Sequence, residues 1–259
     1  WVSLKALGLA QGASLDRLTV FNDLESAVED AQFIQESAPE RLDIKQALYQ
    51  TLGTIAPQNV VIASSTSGLT MTSIQEKCST PGRTVIGHPF NPPYLLPLVE
   101  IVGGKKTDPQ TVTWAESFYA ASGKSPLVMK KEIPGFVATR LQEALWREAL
   151  HMVANGEATP ADIDNALING PGARMAVQGQ CMAFHVACGE GGMATNLDQF
   201  GPALKLPWTR LKAPKLTKEL RDRMVNGCAE IASGQDFKEM ALQRDKSIVA
   251  VLNAIKQSK

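Results

Sequence analysis

The chain has 259 residues, and 26 Lys plus Arg balance 26 Asp plus Glu, so its formal charge is zero. Hydrophobic residues make up 44% and charged residues 20%, which is enough apolar content for a core and excludes a chain kept disordered by low hydrophobicity and net charge. Neutral balance argues against a nucleic-acid or anionic-membrane partner, both of which need clustered Lys and Arg. No run of about 18 apolar residues predicts a membrane helix. Cys78, Cys181, Cys188 and Cys228 show no CxxC or other zinc-ligand spacing, so reduced thiols, a cytoplasmic protein and no metal are expected.

Trp1 to Leu9 reads like the middle of a helix, and the first residue is not Met, so the chain is expected to begin inside a longer protein. Asp23 before Leu24, Ala27 and Val28 predicts a short helix, and Ala31–Ile34 a short strand ending at the polar Gln35–Ser37. Ile44, Ala47, Leu48 and Leu52 recur at spacings of three and four, predicting a helix over Asp43–Ile55. Further strands are expected at Val60–Ala63, Thr84–Gly87, Leu98–Val102 and Pro126–Val128, with a helix through Trp114, Phe118 and Ala121 before the last. Strands alternating with helices predict an α/β, Rossmann-like, mainly parallel sheet.

At Pro134–Gly135 the pattern becomes helical. An amphipathic helix is expected over Phe136–Asn155, closed by Gly156. Thr159-Pro160-Ala161-Asp162 supplies an N-cap, a Pro at the first helical position and an acid at the third. Helices follow near Met182–Phe200, Leu216–Ser233 and Phe237–Gln257. The expected division is residues 1–132, an α/β domain, and residues 133–259, an all-helical C-terminal domain.

The stretch from Gly87 to Glu100 holds the strongest chemical signal. His88 ends one strand, a loop stiffened by Pro92, Pro93 and Pro97 follows, and Glu100 lies on the next strand. Imidazole accepts a proton near neutral pH, and a carboxylate on its other nitrogen fixes the tautomer. The same residues could equally be a packed His beside a surface Glu. Ser64 to Gly68 follows a strand end, where ligands bind in open α/β sheets; alternatively it is a plain helix cap.

Ser67, His88 with Asn91, Glu100 and then Pro134-Gly135-Phe136 with Arg140 occur in an order and spacing that resembles the 3-hydroxyacyl-CoA dehydrogenase superfamily over nearly the whole chain. Segments 35–41, 95–100, 145–150 and 200–208 are similar to its carnitine-oxidising branch. The resemblance implies NAD as cofactor and the 3-hydroxyl of L-carnitine as the oxidised group, with a 3-hydroxyacyl-CoA or L-gulonate as alternative substrates. It implies His88 as base, Glu100 as its partner, Ser67 on the substrate hydroxyl or nicotinamide amide, and Asn91 supporting loop and cofactor. Glu40 and Lys45 match positions near the nicotinamide ribose. Family members carry Asn where Thr139 stands here. No GxGxxG occurs in the chain, so the first βαβ segment is expected before Trp1, and a non-catalytic homologue is the contrasting reading.

A carboxylate substrate wants an Arg fork, and Arg174 is the candidate; its alternative is a surface or inter-subunit ion pair. A trimethylammonium prefers aromatic faces, which Tyr94, Trp146, Phe184 and Trp208 could offer, although each could be core instead, Trp146 above all. His151 is expected to cap or pack, and His185 to lie near the site. Relatives form homodimers through the helical part, so a homodimer acting on a small molecule is expected.

Overall fold

The computed structural model describes residues 2–176, 179–188, 190, 192–202, 206, 209–210, 217–220, 222, 225–226 and 237–257. Trp208, Cys228 and most of the helix expected over 216–233 lie outside the described residues. The chain separates into two compact units, Trp1–Arg140 and Leu141–Lys259.

In the first unit, helices α1 (Val2–Leu7) and α2 (Leu24–Val28) precede strand β1 (Phe33–Glu36). Asp23 caps α2 by accepting from the Ser26 amide. Then come α3 (Leu42–Ile55), β2 (Val61–Ser64), the short α4 (Met71–Ile74), β3 (Thr84–Pro89), β4 (Leu98–Val102), α5 (Pro109–Ala121) and β5 (Ser125–Val128). The sheet order is β1-β2-β3-β4-β5. Pairs β1/β2, β2/β3 and β4/β5 are parallel, whereas β3/β4 is antiparallel. The sheet is thus mainly parallel, and the stiff loop 90–97 reverses the chain between β3 and β4.

Strand β1 runs two residues past its expected end. Gln35 and Glu36 look like a polar stop in sequence, but their side chains find partners on distant elements. Gln35 donates to the Gly87 carbonyl and accepts from the Tyr119 hydroxyl, while Glu36 pairs with Lys45 and Ser64.

Side chains alternate across the sheet with period two. Ile62, Ile86 and Val102 pack on one face with Tyr49 and Leu52 of α3 and Met71 and Ile74 of α4. Val61, Ala63, Val85, Val99 and Ile101 pack on the other with Ala115 and Tyr119 of α5. Arg83 closes α3 by donating to carbonyls of Leu52, Gly53 and Ala56.

The second unit is helical: most of α6 (Ala138–Ala154), then α7 (Pro160–Asn169), α8 (Pro171–Met175), α9 (Gln180–Ala187), α10 (Gly192–Phe200) and α11 (Phe237–Gln257). Thr159 and Asp162 form the expected capping box on α7. The single helix expected over Met182–Phe200 is two helices, broken after Ala187. His185 Nδ1 accepts from the Met193 amide at 3.0 Å, so it serves the N-terminus of α10. Arg210 bridges Glu148 and Glu157, both at 2.8 Å. Its guanidinium and the Asn155 amide, in that order, bring the Glu157 carboxyl down to about 2.

Candidate active site

Strand register assembles the site. Glu36 is opposite Ser64 in the β1/β2 ladder, and Ser64 is opposite Ile86 in β2/β3. His88 is two residues beyond Ile86 and is opposite Glu100 in β3/β4. By the two-residue period, Glu36, Ser64, His88 and Glu100 therefore project from the same face as the α3-side core. They stand where β1, β2 and β3 end, the edge at which open α/β sheets bind ligands.

His88 Nδ1 lies 2.9 Å from Glu100 Oε2, with both side chains buried. The antiparallel return of β4 turns a separation of twelve residues into a cross-strand pair. The other Glu100 oxygen, Oε1, accepts from the amides of Val137 at 2.8 Å and Ala138 at 2.9 Å, where α6 begins. Burial by itself raises the Glu100 pKa; the hydrogen bond from His88 and the two amides overcome it, and the net shift is downward. Glu100 is thus a carboxylate, which can only accept, so Nδ1 carries the proton. In that tautomer the lone pair is on Nε2, which has no hydrogen-bond partner among the described residues.

Two successive residues at positive φ, Gly135 at 73° and Phe136 at 48°, deliver those amides. Positive φ is uncommon for a bulky residue. Phe136 is fully buried, and its ring centroid is 5.4 Å from that of His88. Gly87 precedes His88, and a Cβ there would collide with the Tyr119 hydroxyl, so the close approach of α5 requires glycine. Lys124 donates to the carbonyls of Pro93 and Leu96, tying the proline-rich loop to the start of β5.

The remaining expected residues divide between the units. Ser67 is exposed, its amide donates to Glu40 Oε1 at 3.1 Å, and its hydroxyl has no partner among the described residues. Asn91 is exposed and precedes Pro92 through a cis peptide bond. Tyr94 is partly exposed in the same loop, and Thr139 is half-buried in the first turn of α6. Glu40 is half-exposed and caps the loop 66–68. Lys45, expected near the ribose, is enclosed at 1% exposure, with its ammonium 2.8 Å from Glu36 and 3.7 Å from Glu40. On the same helix, the Tyr49 hydroxyl is buried without a hydrogen-bond partner among the described residues; burial first, then the charge of Glu36, push its pKa far above the ordinary tyrosine value.

Arg174, Trp146 and Phe184 belong to the second unit. Arg174 is exposed on α8 and has no ion pair among the described residues. Trp146 departs from the core reading: it is 47% exposed, beside the exposed Leu145. Glu36, Gln35, Tyr119 and Lys124 went unnoticed in the sequence because their partners are far away along the chain.

Comparison with known proteins now bears on this geometry. A sequence model described as 3-hydroxyacyl-CoA dehydrogenase, NAD binding domain, matches residues 5–133, and one for the C-terminal domain of the same enzymes matches residues 135–232. The chain belongs to the 3-hydroxyacyl-CoA dehydrogenase family. These matches part at the sequence change near Pro134, whereas the compact units part after Arg140 because Phe136 and the amides of residues 137 and 138 are bound into the sheet unit. L-carnitine dehydrogenase of Streptomyces griseus is 58% identical over 254 residues, covering 98% of this chain and 76% of that protein. The Pseudomonas putida L-carnitine dehydrogenase is 49% identical over 259 residues, covering all of this chain and 81% of its own length. Among solved structures, an NAD⁺-dependent 5-formyl-3-hydroxy-2-methylpyridine 4-carboxylic acid 5-dehydrogenase superposes with a TM-score of 0.81 at 30% identity, covering 98% of this chain and 83% of that one.

The family member described here is an NAD-dependent dehydrogenase, and its own residues suit the reactive end of that cofactor. The Ser67 hydroxyl, without a partner among the described residues, and the exposed Asn91 stand on loops after β2 and β3, whose carboxyl ends share one edge of the sheet with the buried His88. No helix among the described residues is long and apolar enough to cross a membrane.

Proposed function

We propose that this chain oxidises the 3-hydroxyl of L-carnitine to the ketone of 3-dehydrocarnitine. The observation that carries the reading is the buried His88–Glu100 pair at 2.9 Å, in a chain 58% identical to an L-carnitine dehydrogenase. NAD, when bound, supplies the acceptor for the hydride that leaves C3. His88 Nε2 takes the hydroxyl proton as C3 is oxidised, and Glu100 stabilises the imidazolium that results. A base so placed is worth about 10²–10⁴-fold in rate. Ser67 donates to the reacting oxygen or the nicotinamide amide, with Asn91 and Glu40 shaping the cofactor side. Thr139 offers a hydroxyl where relatives carry Asn.

The two ends of carnitine call for opposite chemistry. Arg174 binds the carboxylate as a planar fork. The trimethylammonium has no N–H to donate and rests on aromatic faces, at about 0.5–2 kcal/mol per contact. Tyr94, Trp146 and Phe184 each keep 40% or more of their surface exposed, which supports that use over burial in a core. The active form is a cytoplasmic homodimer, as the exposed apolar residues of the helical unit favour.

The test is NADH formation by the full-length protein with L-carnitine, 3-hydroxybutyryl-CoA and L-gulonate in parallel. Turnover is expected with L-carnitine. Turnover of either other alcohol with none of L-carnitine overturns the substrate, and silence with all three overturns the catalytic reading.

A further inference from the structure

Beside the catalytic pair lies a second buried ion pair that the proton transfer does not use. Glu36 Oε1 accepts from Lys45 Nζ at 2.8 Å and from the Ala38 amide at 2.5 Å, and Oε2 accepts from Ser64 Oγ at 2.6 Å. Lys45 also donates to the Ala38 carbonyl at 3.0 Å and is 3.7 Å from Glu40 Oε2. The Glu36 and Lys45 side chains are both 1% exposed. Burying two charges costs solvation that their attraction often fails to return, so the pair is weakly explained as a source of stability.

What the pair does hold is two loops. The loop after β1 is fixed through Ala38, whose amide and carbonyl are both engaged. The loop after β2 is fixed through Ser64 Oγ, which accepts from the Thr66 amide at 3.3 Å, and through Ser65, whose amide and hydroxyl donate to the Glu36 carbonyl at 2.9 Å. Glu40 joins the two: its Oε1 accepts from Thr66 Oγ1 at 2.5 Å and from the amides of Ser67 at 3.1 Å and Gly68 at 3.2 Å. Lys45 touches both carboxylates, and its stronger partner is Glu36.

We propose that the Glu36–Lys45 pair is a positioning device for Ser67: the two side chains together clamp Ala38 and Ser64, which holds the Glu40 carboxylate where it grips the Ser67 and Gly68 amides and so sets where the Ser67 hydroxyl stands. Loss of either side chain breaks the clamp on Ala38, and Glu40, two residues further on, is then no longer held against those amides. The inference rests on the role given to Ser67 above, and it makes Glu36 and Lys45 positioning residues.

The experiment compares Glu36→Gln, Lys45→Met and the double variant by hydrogen exchange of the unliganded chain and by kcat and KM for the alcohol. In all three, exchange at the Ser67 and Gly68 amides is expected to rise about tenfold, with core amides such as Ile62 and Ile86 changing by less than about twofold. Misplacement of Ser67 lowers kcat/KM by about 10²-fold. The double variant leaves no unpaired buried charge, so its melting temperature recovers toward wild type while the loop exchange and the kinetic defect persist. Recovery of all three in the double variant, or acceleration spread evenly through the sheet, reduces the pair to charge balance and overturns the proposal. Local exchange at residues 67 and 68 in a protein inactive on L-carnitine would keep the positioning role and sink the substrate; turnover of L-carnitine with unchanged exchange would do the reverse.

Discussion

The two units of this chain bury different things. The sheet unit encloses acidic and basic side chains: Glu36, Lys45, His88 and Glu100 are each at most 5% exposed, and each is paired. In the helical unit Asp245 is the one buried charged residue among those described, Arg210 and Glu157 stay near the surface, and Leu141, Ile168, Leu197 and Phe200 are each more than half exposed. A parallel sheet brings distant strand ends to one edge, where buried polar groups can satisfy one another. A helix satisfies its own backbone and sorts side chains by face, so its apolar stripe needs a second surface from elsewhere.

Breaking the catalytic pair tests this contrast most severely. His88→Ala is expected to lower kcat by about 10²–10⁴-fold. The circular dichroism spectrum should not change, because Glu100 keeps the Val137 and Ala138 amides. Retained turnover would remove the sheet edge from the chemistry.

The apolar helical surface gives the next effect. Replacing both Leu141 and Leu145 with Glu should weaken self-association by about tenfold or more, read by light scattering across micromolar concentrations. A wild-type chain that is monomeric over that range would refute the dimer.

Acid sharpens the comparison further. The folded Glu100 carboxyl titrates below its ordinary value of 4.5, so ionised Glu100 stabilises the native state above that pH, and the contribution is lost as pH falls through the lowered value. Urea denaturation of wild type should therefore steepen its pH dependence below about pH 4.5, and Glu100→Gln should remove that part. The Glu157–Arg210 pair, with Glu157 brought to about 2, should stay ionised to lower pH than an ordinary carboxylate pair would. An NMR titration of the Glu157 carboxyl reads it. The smallest effect is local: Thr159→Ala deletes the capping box on α7 and should cost about 1 kcal/mol in thermal unfolding without altering turnover.

Much of the site was legible because its residues announce their chemistry. A histidine at a strand end, a proline-stiffened loop and a glutamate on the next strand allow few arrangements, and the antiparallel return of β4 makes them a pair. Glu36 was hidden for the opposite reason. A glutamate after a strand reads as a solvent-facing stop, and only Lys45 on α3 and Ser64 on β2 make its burial tolerable. Trp146 among leucines reads as core, yet helical spacing says which face a residue shares and nothing of what covers that face.

Sequence alone specified the alternation of strands and helices and the caps of α2 and α7, which depend on neighbours within a few residues, and the family, which rests on the order and spacing of motifs along the chain. Tertiary structure decided the state of the reactive groups. Whether Glu100 is a carboxylate, which nitrogen of His88 carries the proton, and which acid Lys45 pairs with depend on strand register and on groups that arrive from a different element. Proton affinity is set by the field of groups within a few ångströms, and in this fold those groups come from places the sequence keeps far apart.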